Sequence, residues 1–247
     1  MKRTNLFLLI ALALTIFLSS RRVVQAGSPS SPTTGNGAVI KGVVKFEGTL
    51  PKAKPISMAA DQSCAKLHSG PVVDQEVATD SKGGLQNVIV FVAEGLGNQT
   101  FDPPTQAAVI SQKGCEYEPH VLAVQANQPI EVVNHDPTAH NIHPMPANNR
   151  EWNKAELPGA SVEETFAREE IAIPVKCNIH PWMRGYVAVL KNPYFAMTRQ
   201  DGSFDLPNLP PGTYTIKAWH EKLGISTQTI TIGANQTKEV SFVFKNM

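Results

Sequence analysis

Residues 175–189 read Val-Lys-Cys-Asn-Ile-His-Pro-Trp-Met-Arg-Gly-Tyr-Val-Ala-Val and join a short polar loop to an apolar strand. Two residues separate Cys177 from His180, and two more separate His180 from Met183. One tight loop can therefore direct a thiolate, an imidazole and a thioether toward a single point. All three are soft or borderline metal ligands. The loop predicts a metal site at the end of a strand.

A second imidazole must come from another part of the chain, and histidines cluster after the apolar run at residues 130–133. His135, His140 and His143 fall within nine residues. We predict that His140, just beyond this strand, completes the site. Copper that cycles between Cu(I) and Cu(II) prefers one thiolate, two imidazoles and a weak thioether, whereas zinc in Cys and His sites usually takes four strong ligands. The donor set therefore favours one copper ion.

Turn-forming residues indicate an all-β protein. The 247 residues include 19 Pro and 17 Gly, which is too many for long helices and typical of short strands joined by turns. With 42% hydrophobic and 17% charged residues, the chain has enough apolar side chains for a packed core. Its 22 Lys and Arg balance 21 Asp and Glu, so a net charge of +1 gives no basic surface for nucleic acid.

The N-terminus indicates export. Lys2 and Arg3 precede an apolar run at residues 6–18, and small residues at 24–26, Val-Gln-Ala, suit a signal peptidase. Because a bilayer span needs about 20 apolar residues, we predict a signal peptide over residues 1–26, followed by a linker over residues 27–37. The mature protein is then periplasmic or otherwise exported and has no membrane span. An uncleaved membrane tether is the alternative.

Export changes the meaning of the three cysteines, because an odd number leaves at least one without an intramolecular partner. Cys177 has His180 and Met183 close behind it, so we predict a disulfide between Cys64 and Cys115. Such a bridge would contribute about 3 to 4 kcal/mol in the chain-entropy treatment. Two buried free thiols, or a separate Cys and His metal site, are the alternatives.

Strand and turn patterns divide the mature chain into three parts. Residues 38–83 form an N-terminal β region, and residues 84–192 form the domain with the predicted metal site. Residues 193–247 alternate short strands with turns. Within them, the stretch from Asp201 to His220 resembles carboxypeptidase regulatory-like, transthyretin-like modules. This resemblance implies a small antiparallel β-sandwich without chemistry of its own, and we expect the N-terminal β region to pack with it.

The two predicted ligand loops resemble those of the cupredoxins, the blue copper proteins of the amicyanin and plastocyanin type. Residues 175–189 are similar to the short loop that carries Cys, His and Met in amicyanin. Residues 139–143, Ala-His-Asn-Ile-His, are similar to its His-Asn-Val-His loop. Both motifs occur in the same order and context as in the family, so the resemblance implies a Greek-key barrel or sandwich.

The resemblance also implies a role for each residue of the site. His140, Cys177 and His180 would be the equatorial ligands of a type 1 copper ion, and Met183 the axial ligand. Asn141 would hydrogen-bond to the copper loop and hold the thiolate in place.

A copper ion with four protein ligands has no open position for substrate, so we predict a carrier of single electrons rather than an enzyme. The expected partner is a redox protein, either a dehydrogenase or a c-type cytochrome. Because the ligand loop of a cupredoxin lies at one end of the barrel, we expect His180 to present its ring edge to solvent. Pro181 and Trp182 would then form an apolar docking patch. Two alternatives are a metal-free interaction module of the cell envelope and a copper store or chaperone that also uses His143 and Met145.

Overall fold

The computed structural model of the protein describes residues 37–74 and 76–246. The predicted signal peptide lies outside these residues, and so does the predicted linker apart from residue 37. The described chain consists of strands and one four-residue helix, so the all-β prediction is confirmed. No helix in the described chain is long and apolar enough to cross a membrane.

The elements are numbered in chain order. The first ten are β1 (Ala38–Glu47), β2 (Pro55–Ile56), α1 (Gln62–Ala65), β3 (Val72–Val73), β4 (Ile89–Glu94), β5 (Ala108–Lys113), β6 (Glu116–Glu118), β7 (Val121–Gln125), β8 (Ile130–Asn134) and β9 (His140–Pro144). The others are β10 (Lys154–Glu156), β11 (Ser161–Glu164), β12 (Glu170–Lys176), β13 (Arg184–Leu190), β14 (Phe195–Met197), β15 (Ser203–Leu209), β16 (Gly212–His220), β17 (Gly224–Ile232) and β18 (Thr237–Lys245).

Four sheets pair into two sandwiches. The first sandwich packs the sheet β10-β9-β12-β13-β7 against the sheet β11-β8-β5-β6, with one apolar core between them. The second sandwich packs the sheet β15-β1-β18 against the sheet β14-β4-β16-β17 around a separate core. β2 and β3 form a small hairpin of their own.

Strands β4 and β13 are apolar on both faces because each lies between two cores. On β4, Val90 belongs to the core of the second sandwich, whereas Phe91 belongs to a third apolar cluster. On β13, Val187 belongs to the core of the first sandwich and Ala188 to the same third cluster. This third cluster joins the two sandwiches. The nearly continuous apolar runs in the sequence are typical of strands buried in this way.

Strand pairing assigns two segments to the second sandwich. β4 pairs with β14 and β16, so the predicted domain boundary at residue 84 is wrong: residues 89–94 do not belong with the metal-site domain. The apolar run there would fit either sandwich, and only the pairing decides. β1 lies between β15 and β18 and runs parallel to β18. The second sandwich is therefore mixed rather than purely antiparallel.

Part of the N-terminal region packs instead on the first sandwich. Residues 55–73, here called the cover segment, contain β2, α1 and β3. Met58 and Cys64 belong to the first core, and Ile56 packs against it. Cys64 forms a disulfide with Cys115, which confirms the predicted pairing.

Candidate metal centre

Three side chains converge inside the first sandwich. Ligand atoms of His140, Cys177 and His180 all lie within 4.8 Å of one another. The two histidine Nδ1 atoms are 2.9 Å apart, and the Cys177 Sγ lies 3.9 Å from the Nδ1 of His180. The three residues are 0%, 2% and 1% exposed, respectively. The structure thus brings together a thiol and two imidazoles from two distant segments of the chain.

Backbone hydrogen bonds close the loop that carries Cys177 and His180. The Cys177 N–H donates to the Met183 carbonyl at 3.1 Å, and the Met183 N–H donates to the His180 carbonyl at 2.9 Å. The His180 N–H points at the Cys177 Sγ, 3.3 Å away. At Gly185, a Cβ would lie 2.7 Å from the His120 carbonyl oxygen, so the chain can leave the loop here only with glycine. The loop is therefore held at both ends.

Met183 lies on the same loop. It is 1% exposed and belongs to the same apolar cluster as Cys177. It is the residue through which this loop can offer a thioether to the site.

Asn141 connects the two ligand segments. Its side-chain oxygen accepts a hydrogen bond from the Asn178 N–H at 2.7 Å and lies 3.3 Å from the Cys177 Sγ. The Tyr117 hydroxyl donates to the Asn141 carbonyl at 2.7 Å. Asn141 itself is the second residue of β9, directly after His140. These contacts fix the position of the sulfur relative to His140.

A carboxylate contacts the Nε2 atom of each imidazole ring, on the opposite side of the ring from Nδ1. The Nε2 of His140 lies 2.8 Å from Asp136 Oδ2, and the Nε2 of His180 lies 3.0 Å from Asp61 Oδ2. Sequence reasoning missed both residues. Asp136 precedes His140 by four residues, a spacing that could have suggested a contact. Asp61 lies 119 residues before His180, and no sequence pattern connects the two.

These contacts determine the protonation of the site. Burial disfavours charge on His140, but its hydrogen bond to Asp136 and the nearby Cys177 raise the pKa of the imidazole to about 9. Burial also opposes the thiolate, yet hydrogen bonds from His140 and the backbone hold the pKa of Cys177 below its ordinary value. Because both Nε2 atoms face carboxylates, the two Nδ1 atoms, 2.9 Å apart, are the ring nitrogens left to bind a metal ion.

A buried acid lies behind the site. Glu156 on β10 is opposite His140 on β9, is fully buried, and accepts a hydrogen bond from the Gln112 side chain at 2.8 Å. Burial raises the pKa of Glu156 to about 7, although the bond from Gln112 opposes this shift. One of its carboxyl oxygens has no hydrogen-bond partner.

The His180 ring is not exposed, so this part of the predicted docking face is wrong. The cover segment places Asp61 against its Nε2 edge, and the side chain of His180 is only 2% exposed. The ring of Trp182 lies 5.1 Å from that of His180, between centroids. Its indole N–H donates to the carbonyl of Cys115 at 3.2 Å. Trp182 therefore supports the loop and is only partly available to a partner.

The open surface near the site lies beside Cys177 instead. A groove of about 690 Å³ is lined by residues that include Met145, Lys176, Cys177, Pro181 and Arg184. Pro181 is exposed, and Met145 is 36% exposed.

His143 does not join the three converging side chains. Its Nε2 lies 2.6 Å from Glu151, and its Nδ1 lies 3.2 Å from the side-chain oxygen of Asn178. His135 is exposed. Of the three clustered histidines, only His140 contributes to the buried group.

Several solved structures are similar to part of the chain. A Cu-containing nitrite reductase from Thermus scotoductus SA-01 is 19% identical, covering 39% of this chain and 25% of that one, with a TM-score of 0.33. A novel purple cupredoxin from Nitrosopumilus maritimus is 24% identical, covering 34% of this chain and 99% of that one, with a TM-score of 0.30. A variant of amicyanin in its oxidized state is 20% identical, covering 41% of this chain and 98% of that one, with a TM-score of 0.32. The chain thus spans about a quarter of the length of the nitrite reductase.

The family described as "Polysaccharide lyase family 4, domain II" matches residues 185–240. This range runs from β13 into β18, so it falls largely on the second sandwich. The matching family is not the carboxypeptidase regulatory-like module suggested by the sequence. No curated protein matches the chain.

Proposed function

We propose that the protein is an exported one-electron carrier whose first sandwich is a cupredoxin domain with one type 1 copper ion. The observation that carries the proposal is the buried convergence of a cysteine sulfur and two histidine Nδ1 atoms. These donors meet at the end of strands whose loops resemble those of amicyanin.

The donor set fits copper. The ligands would be His140, Cys177 and His180, with the Met183 thioether as a weak fourth ligand. The lowered pKa of Cys177 favours the thiolate that a metal site needs. A copper ion in such a site supplies reversible one-electron transfer between Cu(II) and Cu(I).

The chain's own residues set the conditions for this chemistry. Asn141 holds the sulfur in place through contacts to both ligand segments. The closed loop and the apolar cluster around Met183 keep the ligand residues buried. Since the ligand residues are at most 2% exposed, a substrate has no path to the metal, and we propose a carrier rather than an enzyme.

Electron exchange requires a partner close to the site, and the proposed partner is a redox protein such as a dehydrogenase or a c-type cytochrome. With His180 covered by Asp61, the groove beside Cys177 is the better candidate for docking. Its rim includes exposed Pro181 and Met145 together with Lys176 and Arg184. The apolar side chains of this rim suit a transient encounter because they exclude water without demanding tight affinity, and Lys176 and Arg184 add positive charge beside them.

Copper loading of the purified mature protein tests the proposal. We expect one copper ion per chain and an intense blue absorption band from charge transfer out of the Cys177 sulfur, and Cys177→Ser should abolish the band. Met183→Gln should retain copper but lower the reduction potential, because an oxygen donor favours Cu(II). A metal-free interaction module would bind no copper, and a copper store would bind more than one ion. Either result would refute the carrier.

A further inference from the structure

We infer that Asp61 and Asp136 are the positioning residues of the metal centre and that the Cys64–Cys115 disulfide holds both in place. Each carboxylate binds the Nε2–H of one histidine, which leaves Nδ1 free to bind metal. This inference rests on the proposed copper site for its consequences, but the hydrogen bonds themselves can be tested without metal.

Asp136 is held by a tight turn. Gly114 and Cys115 connect β5 to β6, both with positive φ, at 66° and 56°. Two such residues form the type of turn that suits a two-residue hairpin. Their N–H groups both point at Asp136, which accepts hydrogen bonds from Gly114 and Cys115 at 2.7 Å each. The turn therefore fixes the Asp136 carboxylate in place independently of its contact with His140.

Asp61 is held by the helix that it caps. Its Oδ1 accepts hydrogen bonds from the N–H groups of Ser63, at 2.7 Å, and Cys64, at 3.4 Å. Its Oδ2 remains for His180. One oxygen of Asp61 therefore caps the helix and the other accepts from His180. Among side chains of this length, only a carboxylate has two acceptor oxygens for these two roles.

The disulfide lies beside both pairs. The Cys64 Sγ is within 4.8 Å of a carboxylate oxygen of Asp61 and a ring nitrogen of His180. The Cys115 Sγ likewise lies within 4.8 Å of a carboxylate oxygen of Asp136 and a ring nitrogen of His140. The two half-cystines are 51 residues apart in sequence. The bridge therefore fixes the cover segment against the turn that orients Asp136.

The consequence is a centre with two carboxylates directly behind its imidazoles. A hydrogen bond from Nε2–H to a carboxylate fixes the tautomer of a ligand histidine and makes it more basic. Two negative charges near the metal also favour Cu(II) over Cu(I). We therefore expect a lower reduction potential than the same ligands would give without Asp61 and Asp136.

Two substitutions at Asp61 separate positioning from helix capping. Asp61→Asn keeps one acceptor oxygen, so it cannot both cap the helix and accept from His180. Asp61→Ser retains a good capping residue but is too short to reach the ring. Asp205→Asn is the matched control, because it removes the same charge from β15 in the second sandwich.

The first readout is NMR of the imidazole nitrogens in the metal-free protein. In the wild type and in Asp205→Asn, we expect the proton of His180 on Nε2, with slow exchange. In both Asp61 variants, this N–H signal should shift and exchange at least tenfold faster. A His180 Nε2 that carries no proton in the wild type, or an unchanged signal in both variants, would overturn the inference.

The second readout uses copper. Loss of such an outer hydrogen bond typically costs 10- to 100-fold in metal affinity, so Asp61→Asn should bind Cu(II) more weakly by about this factor and have a higher reduction potential. Unchanged affinity and potential would also overturn the inference. If the wild type binds no copper while the NMR results are as expected, the proposed function fails and the positioning role stands.

Discussion

The second sandwich has a core of apolar side chains, whereas the first encloses a buried polar cluster. In the second, residues such as Phe204 and Phe242 fill the space between the sheets, with ring centroids 6.1 Å apart. In the first, His140, Asp136 and Glu156 are buried at 0%, 4% and 0% exposure. Burying polar groups is costly unless they are hydrogen-bonded. The second sandwich buries single polar side chains such as His220, but among the described residues only the first sandwich brings buried side chains together as a group that could hold a metal ion.

The comparison also shows what fold alone leaves open. Both sandwiches pack sheet on sheet, and the third apolar cluster joins them. Nothing in the second core resembles a ligand set among the described residues. The two sandwiches therefore share an architecture but differ in the chemistry that their side chains can perform.

The largest expected effect on stability comes from the apolar core. Phe204→Ala should lower the free energy of unfolding by about 3 to 5 kcal/mol, because it leaves a cavity among buried side chains. Copper stoichiometry and the visible band should not change at temperatures where the variant is folded. Chemical denaturation and absorption spectra measure the two effects. Loss of the band in the folded variant would show that copper binding in the first sandwich depends on the packing of the second core.

Removal of the disulfide should affect both stability and the site. Replacing Cys64 and Cys115 by serine frees a loop of 51 residues, which costs about 3 to 4 kcal/mol in the chain-entropy treatment. The imidazole N–H of His180 should also exchange faster, because the cover segment that carries Asp61 is no longer bonded to Cys115. Denaturation and hydrogen exchange would check these effects. If stability fell while the exchange rate of the His180 N–H stayed the same, the disulfide would not hold the residues around the metal centre in place.

A smaller effect should appear in the pH dependence. Glu156 has a pKa raised to about 7 in the fold, against an ordinary value of 4.5. The folded protein therefore holds this proton more tightly than the unfolded chain. Its contribution is fully present below pH 4.5 and is lost as the pH rises through 7, by about 1.4 kcal/mol per pH unit within that window.

Glu156→Gln should remove this slope. Denaturation of the metal-free proteins at several pH values should show the wild type losing stability relative to the variant as the pH rises from 4.5 to 7. Parallel curves would show that Glu156 titrates normally and that the polar cluster is more open to water than the structure indicates.

Local patterns predicted much of the fold and of the site. The short strands and turns predicted for residues 193–247 are present as β14 to β18, and the spacing of Cys177 and His180 identified side chains that do converge. The sheet that β4 joins was not predictable, because the sequence of a strand that is apolar on both faces does not indicate which strands it pairs with. The burial of His180 was not predictable either, because it depends on Asp61, one of 21 acidic residues.

X-ray absorption at the copper edge of the loaded protein tests the central claim most directly, since it counts the atoms bound to the metal. We expect one short bond to sulfur and two bonds to imidazole nitrogen, supplied by Cys177, His140 and His180. In Cys177→Ser the short sulfur bond should disappear while the nitrogen bonds remain. A copper ion bound only by nitrogen and oxygen in the wild type would contradict the account.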